Sequence, residues 1–385
     1  MGQTYPMEQA YQEKRITAAI EHRPIYPVSC APLIECYAAR YANVSTFDFL
    51  NNRDLYQRIF KMLRADYRVF NIRRSLYFLH HAPYQNIIGL MKMKIPAAMY
   101  DKGGKFSEFQ FIEDEYMQQK DYAIILQHSY RQYLLEFYKR TYAASEEDVL
   151  KAERQMLNMH KKEIASAQEC GQTFLYGAHL YFPASHFSNL RKFSNFIHDL
   201  YSDPDQMAEC VMIGTRELTE GCLKTAEETG IPRIMIGPPR LSGEFFSNKI
   251  FEKVFWPSLS WSAKKIIAKG VTPVFHLDGN WIRNLEYFKE LPPKKVIIEL
   301  DSYTDIFHAK KILGGHTCLC GDVPAKLFTF GNTEDMERYC FKLIDTIGAD
   351  GGFILGSGCT LPVTARHENV SAFMNSIPKY YFQLA

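Results

Sequence analysis

The sequence predicts an α/β protein, a (β/α)8 barrel with an N-terminal helical extension, and three observations carry that expectation. From about residue 205 onward, helical and strand-like segments alternate with short links, as parallel βα units require. The last four of those strand-like segments are largely apolar and end in residues of ligand type. The chain, at 385 residues with 46% apolar and 23% charged side chains, has ample material for a large core.

Taken in order, the chain opens with a helical reading over MEQAYQEKRITAAIEH, then a Pro-marked extended piece, IYPVSCAPL. LIECYAARY and LYQRIFKMLRADY follow as helices, so residues 1–75 contribute the N-terminal helices and the first strand. The middle region is rich in aromatics, in YRVFNIRRSLYFLHH and KFSEFQFIEDEY. A long helical stretch, KDYAIILQHSYRQYLLEFYKR, runs on into EEDVLKAERQMLNMHKKEIASAQECG, with charged and apolar residues at helical spacing.

Beyond it, DPDQMAECVMIGTRELTEGCLKTAEETG opens on Asp-Pro and closes on Gly, the asymmetry of a helix. IPRIMIG is a short buried strand. KIFEKVFWPSLSWSAKKIIAKG is the next helix, ended by Gly270, and VTPVFHLDG the next strand. The alternation continues through WIRNLEYFKEL, VIIELD, DIFHAKKILGG, TCLCGD, TEDMERYCFKLIDTIG and GGFILGSGC. No low-complexity segment or linker interrupts it, so residues 1–385 read as a single barrel domain.

The bulk properties exclude several classes. A formal net charge of +2 gives no electrostatic reason to expect nucleic acid or a membrane surface as partner. No apolar run reaches the length of a membrane span. The nine cysteines are scattered and odd in number, and the polar start MGQTYPMEQAYQEKR lacks a signal peptide's apolar region. A reducing, cytoplasmic setting with free thiols or metal-ligand cysteines is therefore expected.

In such a barrel, chemistry gathers at the C-terminal ends of the strands. VTPVFHLDG ends in His276 and Asp278, which period-2 alternation places on one face. VIIELD ends in Glu299 and Asp301, again on one face. TCLCGD carries Cys318 and Cys320, followed by Asp322, and GGFILGSGC delivers Cys359 just past its strand. Imidazole, carboxylate and thiolate converging on one rim suit zinc, with three protein ligands and one open position. Thiolates favour it over magnesium or calcium. Glu299, inside an apolar strand, must be paired, protonated or metal-bound.

GGFILGSGCTLPVTARHENVSAF, CGDVPAKLFTFGNTEDMERYC, HLDGN and IPRIMIGPPRLSGEFFSNKIFEKVFWP resemble the uroporphyrinogen decarboxylase superfamily. Within it they are most similar to the cobalamin-dependent methyltransferases, and RITAAIEHRPIYPV resembles the superfamily's opening helix and first strand. The resemblance implies a (β/α)8 barrel. For the zinc methyltransferases it also implies a metal held by a His, a Cys two residues later, and a Cys in the last strand's Gly-Cys turn. His276 matches the first and Cys359 the last, whereas Asp278 stands where a Cys is expected. Cys320 on the adjacent strand is then the candidate for the missing thiolate, and Glu299 for an oxygen ligand.

The expected zinc shell is thus drawn from His276, Glu299, Cys320 and Cys359. Asp278 and Asp301 are expected to orient it or to contact substrate. Aromatics of the middle region, with Tyr116 and Tyr176 as candidates among them, are expected in the wall of an aromatic pocket. The departure at Asp278 points away from methylation of thiols and toward demethylation of methoxylated aromatics, with the methyl group passing to the cobalt of cobalamin on a partner corrinoid protein. Methyl transfer between such a corrinoid protein and a thiol or amine is the alternative, and a non-catalytic barrel the reading from another class. The decarboxylase activity itself is disfavoured, because HRPIYPVSCAPLIECY lacks a Gly-Arg-Tyr loop for a polycarboxylate. The sequence leaves a homodimer open.

Overall fold

The computed structural model describes residues 4–75, 84–88, 93–94 and 104–383. Residues 76–81 of the first aromatic stretch lie outside them. The chain forms a parallel barrel wrapped in helices. Its strands are β1 (Ser29–Cys30), β2 (Ile72–Arg73), β3 (Thr173–Phe174), β4 (Ala178–Tyr181), β5 (Arg233–Gly237), β6 (Thr272–Leu277), β7 (Ile297–Leu300), β8 (Cys318–Val323) and β9 (Phe353–Ser357).

Seven of them pair in parallel in the order β1-β9-β8-β7-β6-β5-β4, and β2 pairs in parallel with β3. The pieces β3 and β4 follow one another directly and act as one kinked strand around Gly177. A Cβ there would lie 2.4 Å from the Thr229 hydroxyl and 2.7 Å from Ile231, so only glycine lets the strand pass so close. Counting β3 and β4 as one position gives the eight parallel positions of the expected barrel. The seam between β1 and β2 carries no strand ladder among the described residues. Arg74 spans it, its Nη1 donating to the carbonyls of Ala31 (3.2 Å) and Ser357 (2.8 Å).

Strand alternation sorts the barrel interior by height. Met235, Val274, Ile297, Cys318, Cys320 and Ile354 form a buried apolar cluster with Ala31, Leu33, Ile72, Leu175 and Tyr176. The N-terminal helix Thr4–Ile20 closes its lower end with Ile16, Ala19 and Ile20. Glu13 of that helix takes both Nη atoms of Arg233, at 2.7 and 2.9 Å, while Arg233 Nε and Nη2 also donate to the carbonyls of Leu175 and Phe174. One or two steps further along the same strands the inward positions turn polar, at His276, Glu299 and Asp278.

The helices follow the sequence with informative differences. The long stretch from Lys120 is three helices, Asp121–Gln127, Tyr130–Tyr142 and Glu146–Gln168. Ser129 restarts the chain by accepting from Gln132 N, and Ala143 adopts a left-handed conformation at φ 54°. Ser145 then builds a reciprocal capping box with Asp148. The helix expected to run uninterrupted to Gly270 contains a π-helical turn, Phe251–Phe255, just before Pro257, whose missing N–H cannot continue the ladder. WIRNLEYFKEL is 3-10 rather than α-helical, over Ile282–Glu290. No described helix is long and apolar enough to cross a membrane.

Candidate metal centre

β6 and β7 run in register with His276 opposite Glu299, and β8 continues the row with Cys320 opposite Glu299. The sequence-predicted residues therefore lie close together, but they divide into separate sets. His276, Asp278 and Cys359 form one group whose ligand atoms all lie within 4.8 Å of one another. His276 Nε2 is 3.4 Å from Asp278 Oδ1 and 3.9 Å from Cys359 Sγ. A tetrahedral zinc with bonds of about 2.0–2.3 Å separates its ligand atoms by roughly 3.3–3.8 Å, so these spacings suit it. The donor set would also suit the ion: one imidazole nitrogen, one carboxylate oxygen and one thiolate sulfur.

Glu299 stands behind this group rather than in it. Its Oε2 lies 2.8 Å from His276 Nδ1, and its Oε1 lies 2.9 Å from Arg74 Nε. Both carboxylate oxygens are thus engaged, and Nε2 of the imidazole is left to face Asp278 and Cys359. Burial opposes every charge here, yet each charge survives through its neighbours. Arg74 and then His276 hold the Glu299 carboxyl below its usual range. Glu299 raises the Arg74 guanidinium, and His276 lowers Asp278. Asp278, followed by Cys359 and Glu299, keeps the imidazole charged well above its ordinary range when no ion competes for it. Arg74 fits beside Gly356, where a Cβ would approach its Nη1 to 3.1 Å and the Ala31 carbonyl to 2.9 Å.

Cys320 shares the row but not the group. It is fully buried in the apolar interior cluster, and burial pushes its thiol up to about 12, so the thiolate form that binds metal is disfavoured. Cys318 lies deeper on the same strand. Asp301 supports the loop that carries Asp278: it accepts from Gly279 N at 2.7 Å and from Tyr303 N at 2.9 Å. Burial raises its carboxyl to about 6. Gly279 itself takes φ +86°, a left-handed turn that other residues adopt with strain. Thr304 ties the loop further, donating to the Gly279 carbonyl and accepting from Trp281 N. Asp322 is buried away from the group and accepts from Tyr339 Oη at 2.8 Å.

Cys359 owes its place to a turn gripped from both sides. Gly358 N donates to the Val323 carbonyl, and Leu33 N donates to Ser357 Oγ. The group opens into a cavity of about 290 Å³ bounded by Phe109, Phe111, Tyr181, Asn189, Met235, Pro239 and Arg240. Neither Tyr116 nor Tyr176 lines it. Tyr176 is buried in the interior cluster with its ring 5.0 Å from that of His179, and Tyr116 packs half-buried against the outer core. The aromatic wall comes instead from the second aromatic stretch, where Phe109 and Phe111 meet edge-to-face at 5.6 Å.

Sequence reasoning missed Arg74, Arg240 and Tyr181. Arg74 carried a signal, a charged residue directly after the buried strand residues Ile72 and Arg73. The other two carried none apart from their proximity to strand ends.

The family model described as uroporphyrinogen decarboxylase (URO-D) matches residues 129–380. Among solved structures, a methyltransferase from Methanosarcina mazei is similar at 14% sequence identity with a TM-score of 0.68, covering 95% of this chain and 98% of that one. No curated protein matches the sequence.

Proposed function

This chain belongs to the uroporphyrinogen decarboxylase family, and on that premise we propose that it is a zinc-dependent methyltransferase. Its methyl donor is a methoxylated aromatic compound, and its acceptor is the cobalt of a cobalamin carried by a partner corrinoid protein. The observation that carries this reading is the convergence of His276, Asp278 and Cys359 at the base of a small aromatic-walled cavity. A fold shared along nearly the whole chain with a methyltransferase from Methanosarcina mazei supports it.

In this reading His276 Nε2, Asp278 and Cys359 hold the zinc. Bound there, the ion supplies Lewis acidity to an ether oxygen, easing departure of the phenolate when the methyl carbon is attacked. The chain's own residues prepare for that event. Glu299 accepts the Nδ1 proton of His276 and so fixes the tautomer that presents Nε2. Arg74 neutralises Glu299, which keeps a buried carboxylate from withdrawing the proton altogether. Asp301 holds the Gly279 turn and with it the height of Asp278. Phe109, Phe111 and Tyr181 offer ring faces and edges against which a substituted ring packs, and Met235 fills the remaining wall. The volume of the cavity suits a single-ring substrate.

The purified protein is expected to hold stoichiometric zinc, and C359A to lose it while keeping its far-UV spectrum. Full zinc content in C359A, or none in the unaltered protein, refutes the assignment. Incubation with reduced corrinoid protein and methoxylated aromatics is expected to methylate the corrinoid, read by its absorbance change. Methylation seen only with methylated thiols or amines rules out the ether as donor.

A further inference from the structure

Arg240 occupies the wall of the same cavity on the turn that leaves β5. Its backbone sits at φ 64°, in the left-handed region that a non-glycine residue enters at a cost and that concentrates at binding sites. The turn is held rigidly, because Pro238 and Pro239 precede it and Ser185 Oγ donates to the Pro239 carbonyl at 2.8 Å. The root of the Arg240 side chain is therefore fixed by the fold, and the side chain as a whole is 32% exposed. One face lies over the Phe193 ring, 5.5 Å from its centroid, and Nη2 stands 3.8 Å from Glu113 Oε2, a loose pair. The other nitrogen, Nη1, is buried and has no hydrogen-bond partner among the described residues.

A buried guanidinium nitrogen without an acceptor is costly, and filling the cavity with an uncharged ring would exclude the remaining water from it. Arg240 and Asp278 both border the cavity, and both act electrostatically on Tyr181 in its wall, so a cation and a carboxylate line the same space. We propose that Arg240 forms an anion subsite that selects substrates carrying a carboxylate on the methoxylated ring. The guanidinium fork meets a carboxylate with paired, charge-assisted hydrogen bonds, which Lys cannot reproduce in geometry. This rests on the methyl-transfer reading for the identity of the ring and adds a second recognition point to it.

The test is calorimetric binding to the full-length protein of 3- and 4-methoxybenzoate against their uncharged methyl esters. The unaltered protein is expected to bind at least one acid about tenfold to a hundredfold more tightly than its ester. R240Q is expected to abolish that preference while keeping its zinc content, and R240K to retain part of it. Equal affinity for acid and ester in the unaltered protein overturns the subsite, as does a preference that survives in R240Q. The comparison in the unaltered protein decides the matter even where R240Q folds poorly. Acid preference in a protein that holds no zinc would leave the subsite standing and remove the methyl-transfer reading. Zinc and methyl transfer without acid preference would do the reverse.

Discussion

At the scale of single residues, Glu299 touches the imidazole on one side and a buried guanidinium on the other. Replacing it by Gln keeps an acceptor for Nδ1 but leaves the Arg74 charge uncompensated in a site that water does not reach. E299Q is therefore expected to lower zinc affinity about 10- to 100-fold and to destabilise the fold by about 3–5 kcal/mol. Competition with a chelator measures the first and chemical denaturation the second, and a variant unchanged in both would show that Glu299 neither orients nor anchors. The strand-end residues were legible because side chains alternate with period two, so His276 with Asp278 and Glu299 with Asp301 had to share faces. Their ranking into ligand and support was not legible. It depends on Arg74, which arrives from the far end of the chain and claims Glu299 from behind. Cys320 read as a ligand by type, yet it packs in the interior apolar cluster with Val274, Ile297 and Ile354, where a thiolate is poorly solvated.

Between elements, the contact of β8 with the helix Thr333–Thr346 has a titratable partner at its centre. Asp322 is buried, accepts from Tyr339 Oη, and has its carboxyl raised to about 7 by burial, with Asp305 and Asp301 adding to the effect. In the unfolded chain the same carboxyl titrates near about 4. A raised folded-state value means that the folded protein holds the proton more tightly. The contribution is complete below about pH 4 and is lost as pH rises toward about 7. D322N cannot lose that proton, so its stability relative to the unaltered protein should climb through this interval by up to about 4 kcal/mol. Melting curves at pH 4, 5.5 and 7.5 measure it, and a difference that stays flat with pH contradicts the burial argument. The same scale shows what local sequence reveals about helices. Ser129 and Ser145 mark restarts that capping chemistry announces, whereas the left-handed Ala143 between them has no compositional signature.

For the whole molecule, the ring of parallel strands was legible from the regular alternation after residue 205, where each helix carries its own start and stop signals. The first strands were harder to read, because β1, β2 and β3 are each two residues long and owe their pairing to distant partners. Aromatics of the middle region, the stretch over 105–116 among them, were expected in the pocket wall, but nothing in the sequence singled out Phe109 and Phe111 over Tyr116. Glu108 brings them there by accepting from Val363 N, a contact between segments far apart in the chain. The barrel divides its labour by height. Ion-paired closure at the lower end, through Glu13 and Arg233, is far from the upper rim, where the proposed chemistry lies.

The seam bridged by Arg74 joins these two ends of the problem. The guanidinium that steadies Glu299, and through it His276, also fastens the carbonyls at the ends of β1 and β9, where no ladder runs to β2 among the described residues. Occupancy of the rim and closure of the barrel are then linked equilibria: whatever locks the imidazole in place also makes the staves harder to part. Zinc at a hundred times its dissociation constant should raise the unfolding free energy by about 2.7 kcal/mol. The added protection against amide exchange should appear at Ala31, Leu33 and Ser357 as well as in the loop of Asp278. Protection confined to that loop would mean that the hoop and the metal are held independently.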